Sequence, residues 1–89
     1  MIKAHRFEEA EKKYTEAIKM DPANKKLNSL IYSNRSVTWS KRKQNFKALD
    51  DLNKSIELNP LYTKSLMRRA EISMEIGEYT TAINDYVKI

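Results

Sequence analysis

Five polar residues in this chain are spaced so that they could hold a carboxylate. Lys64 and Arg68 are four residues apart, which at about 100° per residue puts them within about 40° of each other on one helix face. Asn34, Thr38 and Lys41 share a face of an earlier helix in the same way. Two cations at i, i+4 repel by a few tenths of a kcal/mol, a cost relieved when an anion sits between them. An anionic oxygen there could accept charge-assisted hydrogen bonds from Lys and Arg and a neutral one from the Asn amide. Asn34 is the most telling of the five, because a mid-helix Asn has poor propensity. Glu71, three residues after Arg68, leaves a second reading open in which Arg68 is half of an exposed helix pair.

Catalytic chemistry is not indicated. His5 stands alone, without a second His or Cys at ligand spacing, and is expected at the surface; no metal or cofactor site is expected. Asp50 and Asp51 fall on adjacent faces of a helix, not across a cleft, and Ser33, Ser36 and Ser40 have no base arranged to activate them. Trp39 and Met74 read as core residues. There is no Gly-rich phosphate loop. The chain is therefore read as a non-enzyme.

Charge narrows the partner class. Seventeen Lys and Arg against twelve Asp and Glu give a formal charge of +5, and no acid occurs between Asp21 and Asp50. Lys25, Lys26, Arg35, Lys41, Arg42, Lys43 and Lys47 fill that stretch, so one region should draw anionic partners. The plain alternative is a solvated basic face. Nucleic acid is not specifically signalled, because Tyr32, Trp39 and Phe46 fall at expected core positions. No apolar run of about 18 residues and no basic, apolar leader is present, so neither a membrane span nor a secretory signal is expected and the setting is read as cytoplasmic.

The elements that must position these residues are helices. One Gly and two Pro in 89 residues leave little of the punctuation that sheets need. Apolar stripes predict five helices, over about Ala4–Met20, Asn24–Lys43, Phe46–Leu58, Leu61–Ile76 and Tyr79 onward. Their inward positions are Phe7, Ala10, Tyr14, Ala17 and Ile18; Leu27, Ile31, Tyr32 and Trp39; Ala48, Leu49, Leu52 and Ile56; and Leu66, Ala70, Ser73 and Met74. Asn24 is a candidate N-cap, Asp21-Pro22 and Asn59-Pro60 are stops, and Gly77 is a candidate left-handed C-terminal cap.

One phrase is written three times: Ala10-x3-Tyr14 followed by Pro22, Ala48-x3-Leu52 followed by Pro60, and Ala82-x3-Tyr86. The intervals of 38 and 34 residues predict stacked helical hairpins, with four extra residues around Lys25 to Asn28 forming one added turn. With Tyr32-x2-Arg35-Ser36-x2-Trp39 and Leu66-x2-Arg69-Ala70-x2-Ser73, these phrases resemble the tetratricopeptide (TPR) repeat. The resemblance implies an all-α, right-handed solenoid of about five antiparallel helices. It divides 1–89, a single fragment, into the second helix of a first repeat (1–22), an extended second repeat (23–60) and a third repeat (61–89).

Arg stands where the general pattern has Leu, in Tyr32-Ser33-Asn34-Arg35-Ser36 and Lys64-Ser65-Leu66-Met67-Arg68-Arg69-Ala70. These phrases resemble the carboxylate-clamp subgroup, most of all the DnaJ-type TPR co-chaperones. That likeness implies binding of the C-terminal carboxylates of heat-shock protein 70 or heat-shock protein 90 by Asn34, Lys41, Lys64 and Arg68, with Thr38 and Glu71 as further concave-face residues. The alternative is a basic scaffold that binds acidic proteins or nucleic acid without recognising a chain end. The missing start of the first repeat implies only part of the clamp, and self-association through end faces carrying Phe7, Tyr14 and Ile83 is expected.

Overall fold

The computed structural model describes residues 4–89, with the side chains of Ala4 and His5 outside the described part, so the surface position expected for His5 lies beyond it. Five helices follow one another: α1 (Ala4–Met20), α2 (Lys25–Lys41), α3 (Asn45–Leu58), α4 (Thr63–Ile76) and α5 (Tyr79–Lys88). Their main contacts run between sequence neighbours, α1 with α2, α2 with α3, α3 with α4 and α4 with α5, as in a stack of antiparallel hairpins.

Local chemistry explains the ends. The Asn24 side chain accepts from the Leu27 amide at 3.1 Å, capping α2 one residue later than its predicted start, and α1 stops one residue before Asp21-Pro22. Gly77 closes α4 at φ 87°, the left-handed cap expected of it. Lys43, one 34-residue repeat earlier, takes φ 62°. The same backbone bonds recur at both corners, Gln44 N–H to Trp39 O at 2.9 Å and Glu78 N–H to Ser73 O at 2.7 Å. This corner ends α2 at Lys41, two residues short of the predicted boundary, and α4 begins at Thr63, after the Asn59-Pro60-Leu61-Tyr62 turn. Measured against α4, α2 starts four residues earlier in the repeat.

The core is small and unusually polar. Ala48, Leu52 and Ile72 form its buried centre, with Trp39 and Leu49 packed on it. Ser29, Ser55 and Ser65 are fully buried where α2, α3 and α4 meet. Their hydroxyls are satisfied reciprocally: Ser29 donates to Ser55 O and Ser55 to Ser29 O, both at 2.8 Å, with Ser65 Oγ beside Ser55 Oγ. Small hydroxyl side chains that find partners let three backbones approach closely without an unpaired polar group.

Three apolar residues expected inside lie outside. Phe46 is 74% exposed because the inward stripe of α3 runs through Ala48, Leu52 and Ser55, and Phe46 is rotated away from it. Leu27 stands exposed in the added first turn of α2, where Asn28 turns inward instead, its amide donating to Asp21 O at 2.8 Å. In α4 the buried arc takes in Ser65, Leu66, Ala70, Ile72 and Ser73, since the helix packs on both α3 and α5. Ile72 thus joins the core, and Met74 sits half exposed at the edge of the arc.

Candidate functional site

Helices α2 and α4 lie so that Arg68 of α4 reaches back onto α2. Its Nη1 donates to Ser33 O at 3.1 Å, to Ser33 Oγ at 2.8 Å and to Asn34 Oδ1 at 3.4 Å. Ser33 is fully buried, so one nitrogen of the guanidinium is anchored while the group stays half-buried at the surface. No carboxylate pairs with Arg68 among the described residues, and Glu71, the sequence's candidate partner, does not bond to it.

Two cavities flank this guanidinium. One, of about 250 Å³, is walled by Phe7, Ala10 and Tyr14 of α1 and by Val37, with Asn34, Thr38 and Arg68 supplying its polar side. The other, of about 200 Å³, is lined by Ser36, Ser40, Lys41, Glu71 and Ile72. Val37 and Arg68 border both. Five of the six residues singled out from the sequence, Asn34, Thr38, Lys41, Arg68 and Glu71, are therefore gathered along one groove. Lys64, one turn before Arg68, is exposed and lines neither cavity. Thr38 is buried, its hydroxyl donating to Arg35 O at 2.7 Å, so it shapes the wall and its hydrogen is already committed. An apolar slot beside an anchored cation and an amide suits a carboxylate that carries a hydrophobic side chain next to it.

Arg35 and Arg69 have a different use. Arg35 grips Asp51 with Nε at 2.8 Å and Nη2 at 2.6 Å, and reaches Thr15 Oγ1 at 3.1 Å. Arg69 grips Asp85 with both contacts at 2.7 Å, and reaches Asn53 Oδ1 at 3.0 Å. Both carboxylates are buried, at 5% and 0% exposure. The bound carboxylate raises each guanidinium above its usual pKa, chiefly through the hydrogen bonds and also through Coulomb attraction, against the lowering effect of burial. Sequence reading missed both pairs, although the 16-residue spacing of Arg35 to Asp51 recurs between Arg69 and Asp85.

The chain superposes on the second TPR domain of Spaghetti (RPAP3) bound to the HSP90 peptide SRMEEVD, with a TM-score of 0.82 and 28% identity over 92% of this chain and 72% of that one. The first TPR domain of the same protein, also bound to SRMEEVD, matches with a TM-score of 0.83 and 27% identity over 94% and 64%. The chain has the TPR solenoid fold. No family model matches it. Among curated sequences this TPR chain is 37% identical over 76 residues to DnaJ homolog subfamily C member 7 of Homo sapiens, 85% of the chain and 15% of that protein. It is 36% identical to Serine/threonine-protein phosphatase 5 of Homo sapiens, over 96% of the chain and 16% of that protein. The Hsp70-Hsp90 organizing protein of Triticum aestivum is 34% identical over 97% of the chain and 14% of its own length. The TPR chain thus spans about one sixth of the curated relatives it matches.

Proposed function

We propose that this TPR chain is a non-catalytic peptide-binding module of a cytoplasmic co-chaperone, holding the acidic C-terminal tail of heat-shock protein 70 or heat-shock protein 90 by its terminal carboxylates. The observation that carries this is Arg68, anchored by Ser33 yet without a carboxylate of its own, between an apolar slot and a basic one. Its place beside Asn34 fits a charge-assisted bond and an amide bond to one carboxylate. Lys41 and Lys64 add positive potential, and the peptide seen in the structural relatives ends in Glu-Glu-Val-Asp. None of the described helices is long and apolar enough to cross a membrane.

Titration with SRMEEVD beside its C-terminally amidated twin tests the reading. The free acid should bind at least about tenfold more tightly, a difference of about 1.4 kcal/mol. Equal affinity for the two would overturn end-recognition, and a steep salt dependence alongside it would identify a basic surface that binds anions without regard to a chain end.

A further inference from the structure

The cavity of about 200 Å³ beside Arg68 carries an acid as well as cations. Lys41 and Arg68 line it together with one carboxylate, Glu71, so the charges on its wall leave a net charge of +1. Glu71 is exposed and makes no ion pair among the described residues. It nevertheless stands three residues after Arg68, a spacing at which opposite charges pair on a helix. Ser33 draws Arg68 Nη1 across to α2 instead, and the pair within α4 is given up. Nor does the fold require an acid at this place. One 34-residue repeat earlier the same register position is Val37, an apolar residue on the wall of the same cavity.

An unpaired carboxylate inside a cationic site works against anions, and its effect grows with the negative charge it faces. One carboxylate neutralises the net charge of this cavity. A chain with a phosphate at every residue brings more negative charge than Lys41 and Arg68 leave uncompensated, and it meets Glu71 at the same short range. We infer that Glu71 is a specificity-determining residue of the groove, admitting a single carboxylate and turning away denser anions such as nucleic acid. This role rests on the groove being a carboxylate site. It lets a chain of formal charge +5, with no acid between Asp21 and Asp50, take a peptide end without becoming a general anion binder.

Fluorescence anisotropy of SRMEEVD labelled at its N-terminus, and of labelled oligothymidylate, tests the role on the whole chain. Glu71→Gln removes the charge at an exposed position, and circular dichroism verifies that the helices are kept. The variant should bind oligothymidylate at least about fivefold more tightly than the natural chain, and SRMEEVD no more than about twofold more tightly. Glu16→Gln on α1 makes the same change in net charge at an exposed residue outside both cavities, and should raise oligothymidylate binding less than about twofold. Should Glu71→Gln not fold, Glu71→Val, with the residue of the preceding repeat, gives the same reading. No gain for oligothymidylate, an equal gain for both ligands, an equal effect of Glu16→Gln, or a loss of SRMEEVD affinity would each overturn the inference. Equal binding of free and amidated SRMEEVD by the natural chain would instead sink the carboxylate site itself, which the preference between SRMEEVD and oligothymidylate does not measure.

Discussion

Arg35, Arg68 and Arg69 are each defined by what they touch. Arg35 and Arg69 are structural because a buried carboxylate meets each in two-point geometry. Removing one partner strands a charge, so Asp85→Asn should cost about 3 kcal/mol in urea denaturation. Replacing both partners, as in Arg69→Met with Asp85→Leu, should cost less than the single change, because no desolvated charge remains. Both guanidinium pKa values are raised, so each guanidinium stays charged through physiological pH and gives up its proton only in strong alkali. Among the described residues, Arg68 differs in having only neutral acceptors. Arg68→Ala should weaken SRMEEVD at least about tenfold, whereas Lys64→Ala, at an exposed and uncommitted side chain, should weaken it about two- to threefold; isothermal titration calorimetry checks both.

At the scale of the elements, the two hairpin corners are the same backbone made from different residues. Gly77 adopts its left-handed φ without steric cost, and a Cβ there would meet no neighbour within 4 Å. Gly77→Ala should therefore cost about 1 kcal/mol from conformation alone. Lys43 bears the same φ sign with a side chain attached, so Lys43→Gly should raise stability by about 0.5–1 kcal/mol in thermal unfolding. A loss of stability would mean that the Lys43 side chain contributes more than its backbone costs. The N-terminal cap of α2 belongs to the same account, and Asn24→Ala should cost about 1 kcal/mol.

Across the whole molecule, the repeated arginines act as ties between hairpins. Arg35 links α2 to both α1 and α3, and Arg69 links α4 to both α3 and α5. Because helices meet chiefly their sequence neighbours, loss of one tie should loosen one end. Arg69→Met should speed amide hydrogen exchange in α5 well before it does so in α2, and uniform acceleration through all five helices would contradict this quasi-linear picture. Exposed Tyr79, Ile83 and Val87 on α5 bear on the same end of the stack.

Helix periodicity, the caps at Asn24 and Gly77 and the thrice-written alanine phrase determined the hairpin architecture, because each depends on contacts within a few residues. The same register picked out Asn34 and Arg68 as residues of one groove. Three-dimensional packing alone decided which arginine is free for a ligand. Arg68 and Arg69 are adjacent in the chain, yet a rotation of about 100° sends one onto Ser33 and the other onto Asp85. Burial of Asp51 and Asp85 likewise depends on arginines 16 residues earlier in the chain, on the helix packed against them. A local pattern records which way a side chain points; only the helices packed against it determine what it meets there.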